Sequence, residues 1–61
     1  MGEFYTPREV AEHWRLNVNT VYEYIRMGKL RAVRFGNRYR LTEEDVERFI
    51  EENLTTREES Q

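Results

Sequence analysis

The apolar residues of the chain follow two different periods, which divide it into helical and extended segments. In three stretches they recur three or four positions apart, the spacing of one face of an α-helix. Between the second and third stretches, apolar and charged residues alternate, as in a β-strand with one buried face. The helical stripes, which we expect to be buried, are Val10, Ala11 and Trp14, then Val21, Tyr24 and Ile25, then Val46, Phe49 and Ile50. The pattern predicts three short helices, with a β-hairpin before the third.

Capping residues mark where each helix begins. Thr6-Pro7-Arg8-Glu9 has a threonine cap, a proline at the first helical position and a glutamate that reaches back to the cap, and predicts a helix from Pro7 to about Trp14. Asn17 is a good N-cap for the second helix. Thr42 and the acidic residues 43–45 predict the start of the third helix, because negative charge is favourable in a first turn.

The short connection between the first and second helices predicts a helix-turn-helix, and the second helix has a clear end signal. Only Arg15 and Leu16 separate the first helix from Asn17, and a turn of this length between two short helices is typical of that motif. Gly28 ends the second helix, because glycine readily takes the left-handed conformation that a C-terminal cap requires. Lys29 then lies beside the negative end of the helix dipole.

Residues 31–41 predict a two-stranded hairpin, in which Gly36 and Asn37 form the turn between residues 31–35 and 38–41. Because side chains alternate between the two faces of a strand, we expect one face to be apolar and to pack on the core, and the other to be basic. The expected basic face carries Arg34, Arg38 and Arg40. The elements together predict a mainly α fold with a small β-hairpin, a winged helix-turn-helix over residues 4–53. We expect residues 54–61 to form a disordered polar tail and residues 1–3 a frayed end.

The distribution of charge separates the middle of the chain from its two ends. Residues 1–23, 24–42 and 43–61 carry net charges of −2, +6 and −6, and the middle segment contains no acidic residue. A protein of net charge −2 therefore has one strongly basic segment, which needs an anionic partner or a structural explanation.

Composition excludes several classes of protein. The 61 residues contain no cysteine and a single histidine, His13, so we expect no disulfide, no metal site and no cofactor. Nothing around His13 resembles a nucleophile with an orienting acid, so we do not expect an enzyme. The chain has no long apolar run, which predicts a cytoplasmic protein that does not span a membrane.

A helix-turn-helix followed by a basic hairpin is typical of proteins that bind double-stranded DNA, with one helix in the major groove and the hairpin beside it. Asn19 can pair with adenine, Arg26 can reach guanine or a phosphate, and Val18 can touch a thymine methyl group. We expect Tyr22 to donate to a phosphate. The predicted contact residues are Asn17, Val18, Asn19, Thr20, Tyr22, Glu23, Arg26 and Lys29, then Arg34, Asn37, Arg38 and Arg40 on the hairpin.

Each of these side chains also has a purely structural interpretation. Asn19 can be a solvated residue of a first turn, and Arg26 can pair with Glu23 on the helix surface. Glu23 can accept a hydrogen bond from cytosine, but it also repels phosphate. Charged residues on a hairpin also protect exposed strand edges from aggregation, although every charge on this hairpin is positive.

The chain resembles the excisionase-type helix-turn-helix domains, relatives of the MerR-like winged helix, over about residues 4–50. The resemblance rests on NVNTVYEYI at residues 17–25, on GKL at residues 28–30 and on RFGNRYR at residues 34–40. The chain departs from the family at Arg15, where glycine is common, at Val18, where polar or basic residues are common, and at Glu23, where a basic residue is common.

This resemblance implies DNA binding by the helix after Asn17 and by the hairpin of residues 34–40. It also implies an excision factor that assists a recombinase or a small transcription regulator, with cooperative binding to repeated sites. An alternative is a protein–protein adaptor, in which the basic hairpin or the acidic third helix binds a recombinase, an RNA polymerase or another partner.

Overall fold

The computed structural model describes residues 4–54, and our expectations for residues 1–3 and 55–61 lie outside the described residues. Three helices and a small antiparallel sheet make up this part of the chain, which confirms the predicted mainly α fold. In chain order the elements are β1 (Phe4–Tyr5), α1 (Pro7–Trp14), α2 (Val18–Arg26), β2 (Val33–Phe35), β3 (Arg38–Thr42) and α3 (Glu43–Glu52).

Helices α1 and α3 begin with the same reciprocal pair of hydrogen bonds. The backbone N–H of Glu9 donates to Thr6 Oγ1 and the backbone N–H of Thr6 donates to Glu9 Oε1, each at 3.0 Å. Thr42 and Asp45 make the equivalent pair at 3.0 and 3.1 Å. This arrangement is a capping box, and it satisfies amide groups that have no partner inside the helix. Both predicted start points are therefore confirmed.

Helix α2 ends as the sequence predicts. Gly28 has a φ of 81°, and the backbone N–H groups of Gly28 and Lys29 donate to the carbonyl oxygens of Ile25 and Tyr24. This is the Schellman arrangement, which reverses the chain direction and uses the last carbonyl groups of the helix. The reversal brings Leu30 into the core, where 1% of its surface is exposed.

Helix α1 ends in the same arrangement without a glycine. The N–H groups of Arg15 and Leu16 donate to the carbonyl oxygens of Glu12 and Ala11, and Arg15 has a φ of 59°. Among residues 4–54, Arg15 alone combines a positive φ with a side chain, a conformation that costs roughly 1–2 kcal/mol. The turn between α1 and α2 is therefore strained at Arg15.

The core lies where α1, α2 and the sheet meet, and α3 covers one side of it. Its buried side chains are Val10, Ala11, Val21, Leu30 and Leu41. Phe49 of α3 packs against this core and stacks on Trp14, with 5.1 Å between ring centroids. Our expectation that Ile50 is buried was wrong, because 45% of its surface is exposed. Within α3, all of which is described, no side chain is fully buried.

The sheet has three strands, in the order β1-β3-β2, where the sequence predicted two. Strand β1 pairs antiparallel with β3, so that Phe4 lies opposite Thr42 and Tyr5 lies opposite Leu41. We missed this strand because two residues are too short to show an alternating pattern. Its pairing holds Phe4 and Tyr5 against the strand that leads into α3.

We expect Arg15→Gly to stabilise the protein. Glycine removes the strain of the left-handed backbone. It also gives the unfolded chain more conformational freedom, which lowers the free energy of unfolding by roughly 0.5–1 kcal/mol. The net gain is therefore up to about 1.5 kcal/mol. Each 1 kcal/mol raises Tm by about 4–8 °C in a domain of this size. Thermal unfolding followed by circular dichroism measures it. Arg15→Ala is the matched control, because it removes the same side chain and keeps the Cβ atom. Equal Tm values for the two variants would contradict this explanation.

Candidate nucleic-acid interface

Helix α2 begins at a cap that uses one of the predicted contact residues. Asn17 Oδ1 accepts a hydrogen bond of 2.8 Å from the backbone N–H of Asn19. The cap occupies the carbonyl oxygen of the Asn17 side chain, while the two N–H donors of the same amide take no part in it. Asn17 therefore has a structural role at the start of α2 and keeps donors for a second role.

Three predicted contact residues lie exposed along α2. Asn19, Glu23 and Arg26 follow one another at spacings of four and three residues, which places them on one face of the helix. The face carries an amide, a carboxylate and a guanidinium group, and each of these can pair with the edge of a base. Together they form a polar surface about two turns long.

Val18 and Thr20 are less accessible than these three residues. Both side chains are half-buried, and Val18 packs against the core. Val18 therefore packs partly inward, whereas we expected it on the outward face of the helix, and its contact with a thymine methyl group stays a prediction. A valine in the first turn of α2 packs inward because the turn before it brings α1 close to the start of α2.

Tyr22 joins helix α2 to the hairpin. Its ring centroid lies 6.2 Å from that of Tyr39 in β3, with an angle of 54° between the ring planes. Both side chains are half-buried, and aromatic pairs at this distance attract each other. The contact links the hairpin to α2, a structural role that we did not predict for Tyr22.

The hairpin arginines do not share one face, and our prediction on this point was wrong. The two-residue turn pairs Phe35 with Arg38, Arg34 with Tyr39, and Val33 with Arg40. Directly opposed residues of an antiparallel pair lie on the same face of the sheet. Arg34 therefore shares the face of Tyr39, which is the face towards α2. Arg38 and Arg40 lie on the outer face.

Two of the three hairpin arginines also make local hydrogen bonds. Arg34 Nε donates to the carbonyl oxygen of Gly36, and Arg40 Nη1 donates to that of Tyr39, both at 2.8 Å. These bonds use one donor of each guanidinium group, which has five. Lys29, Arg38 and the turn residue Asn37 are exposed at the surface. Cationic groups therefore surround the hairpin on both faces.

The outer face also carries apolar residues that we expected in the core. Phe35 is 52% exposed, and its ring meets that of Phe4 edge to face at 5.9 Å. Val33 lies on the same face, beside Arg40. Alternation alone could not reveal this arrangement, but the two-residue turn could have, because it pairs Phe35 with Arg38. A phenylalanine pair beside arginines therefore forms the outer surface of the sheet.

Comparison with known proteins places the chain in a family. A family model described as a helix-turn-helix domain matches residues 4–54, which is most of the chain. The chain therefore belongs to this family, the excisionase-type helix-turn-helix domains. The family suggests DNA binding, and its members are typically not enzymes. Comparison with curated proteins and with solved structures finds no match.

Residues 4–54 show neither a metal-binding cluster nor a membrane-spanning helix. Among residues 4–54, the His, Asp and Glu side chains do not come together in a group of three that could hold a metal ion. Within the same range, each helix is too short or too polar to cross a membrane.

We expect the Tyr22 and Tyr39 rings to be energetically coupled. A double-mutant cycle with Tyr22→Ala and Tyr39→Ala, measured by urea unfolding, should give a coupling of about 0.5–1.5 kcal/mol. The control cycle combines Tyr22→Ala with Leu54→Ala, an exposed residue beyond the end of α3, and should be additive. Additivity in both cycles would mean that the ring contact does not hold the hairpin against α2.

Proposed function

We propose that the protein binds double-stranded DNA in a sequence-specific manner, with α2 in the major groove and the hairpin beside it. The observation that carries the proposal is that the helix with the exposed polar face, α2, contacts a hairpin that has arginines on both faces. The contact is the ring pair of Tyr22 and Tyr39. Membership of a helix-turn-helix family supports it independently.

In this proposal the exposed residues of α2 read the bases. Asn19 pairs bidentately with adenine, and Arg26 contacts guanine or a phosphate. Glu23 lies between them and accepts from cytosine, which favours a cytosine-containing site and opposes backbone contact at that position. Asn17, Thr20 and Tyr22 lie along the same helix and position it against the sugar–phosphate backbone.

The proposed role of the hairpin is to enter the adjacent minor groove. A ribbon with cations on one face lies best on a single phosphate backbone, whereas a ribbon with cations on both faces fits between two backbones. Arg34 on one face and Arg38 and Arg40 on the other therefore favour the minor groove. Lys29 and Asn37 add phosphate contacts at the two ends of the ribbon.

We propose a cytoplasmic excision factor or small transcription regulator, in keeping with the excisionase-type family. Single DNA-binding modules bury about 600–1,000 Å², which limits affinity. Cooperative binding of several copies to repeated sites, or contact with a recombinase or RNA polymerase, would raise it. A protein–protein adaptor is the second candidate, and the acidic helix α3 favours it, since six of its ten residues are acidic.

DNA binding should depend steeply on salt concentration. Each phosphate neutralised by a cation releases counterions, so the logarithm of the binding constant falls linearly with the logarithm of the salt concentration. Fluorescence anisotropy with duplex fragments from the genomic neighbourhood of the gene measures this slope. An affinity that does not change with salt, or equal affinity for all fragments, would contradict the proposal.

Substitutions in α2 and in the hairpin should have different effects. Asn19→Ala should relax the preference at one base pair, at a cost of about 1–3 kcal/mol for the preferred site. Arg38→Ala should weaken binding to all sequences alike and reduce the salt slope by about 1. Selection from a randomised duplex library measures the first effect, and titration at several salt concentrations measures the second. The reverse pattern would exchange the proposed roles of helix and hairpin.

The adaptor alternative is separated from DNA binding by a simpler measurement. The protein should be retained on heparin or nonspecific DNA at low salt, and the variant with Arg34, Arg38 and Arg40 changed to alanine should not be. If the triple variant is still retained, the hairpin arginines do not hold the nucleic acid, and a protein partner for the hairpin is favoured.

A further inference from the structure

A groove of about 740 Å³ is lined by α1, α3 and β1. Its lining residues come from these three elements and from none of α2, β2 and β3, among the part of the chain that the structure describes. None of the predicted DNA-contact residues lines the groove, although Phe4, which does, meets Phe35 of the hairpin.

The floor of the groove is apolar. It is formed by Tyr5, Val10, Trp14, Val46 and Ile50. Ile50 is 45% exposed, and Phe4, which also lines the groove, is 50% exposed. Exposed apolar side chains that line one concave surface are typical of a binding site rather than of an ordinary protein surface.

The rim of the groove is acidic on both sides. Glu9 and Glu12 of α1 and Glu43 and Glu47 of α3 line it together with His13, and none of the described residues that line it is a lysine or arginine. Glu9 uses Oε1 to cap α1, and the other three carboxylates are not part of a helix cap. An occupant must therefore present positive charge to both rims and an apolar surface to the floor.

We propose that this groove binds a basic amphipathic helix of a partner protein. A helix with an apolar stripe flanked by lysines or arginines meets both requirements, and binding of such a helix in a groove is a common mode of peptide recognition. DNA and anionic membranes carry charge of the wrong sign. The basic residues of the chain itself lie mainly in a hairpin and a helix end, not along an amphipathic helix.

The proposal does not depend on DNA binding, because the residues that line the groove and the predicted DNA-contact residues are different. It adds a second, oppositely charged contact surface to the protein. Charge complementarity across such a surface mainly determines which partner binds and how fast it associates.

The single tryptophan of the chain gives a direct measurement. Trp14 lies in the floor of the groove and is half-buried, so an occupant should shift its fluorescence to shorter wavelength. The probe is a synthetic helix of about 18 residues with leucines on one face and lysines beside them. A control peptide has glutamate in place of each lysine. The assay contains no DNA, so its result is independent of the DNA-binding experiments.

We expect the lysine peptide to bind with a shift in Trp14 fluorescence and the glutamate peptide not to bind. Glu12→Lys combined with Glu47→Lys should weaken binding on the order of tenfold. The matched control, Glu44→Lys with Glu51→Lys, has the same net charge, but neither residue lines the groove. Equal loss in both double variants would mean that the peptide senses only overall charge and would overturn the proposal.

A second pair of variants tests the apolar floor without reversing any charge. Ile50→Ala should weaken peptide binding on the order of fivefold, whereas Leu54→Ala, at an exposed residue outside the groove, should not. Both side chains are exposed, so neither change opens a cavity in the core. Equal affinity of the Ile50→Ala variant and the unmodified protein would overturn the proposal. A dimer in sedimentation that Ile50→Ala dissociates would also overturn it, since a second copy would then occupy the groove.

Discussion

Burial of Leu41 in the middle strand of the sheet determines the arrangement of the hairpin. Leu41 has no exposed surface, and it lies on β3, which pairs with both other strands. Because side chains alternate along a strand, its burial places Tyr39 on the same face, where Tyr39 meets Tyr22 of α2. The residue after Leu41, Thr42, caps α3. One buried leucine thus orients the hairpin against α2 and precedes the start of the third helix.

The same constraint distributes the arginines over two faces. A two-residue turn leaves no freedom in the pairing of β2 with β3, so Arg34 must follow Tyr39 while Arg38 and Arg40 take the other face. The arginines of the hairpin therefore do not form one flat basic face. The hairpin is a ribbon that presents cations on both faces.

Positive and negative charge are separated in space as well as along the chain. Six of the ten basic residues lie in residues 24–42, at the end of α2, in the hairpin and between them, whereas four glutamates line the groove between α1 and α3. Helix α3 tolerates its high negative charge partly because three acidic residues lie in its first turn, where the helix dipole favours them. Two surfaces of opposite charge in one small domain suit two partners of different chemistry.

Local interactions were determined by the sequence itself. The capping boxes at Thr6 and Thr42 and the turn at Gly28 depend on residues within a few positions of one another, so their sequence patterns predicted them. Tertiary structure alone decided the two-residue strand β1, the inward packing of Val18 and the exposure of Ile50. Each of these depends on which distant segment lies alongside, and a hydrophobic period shows that a face is apolar without showing what covers it.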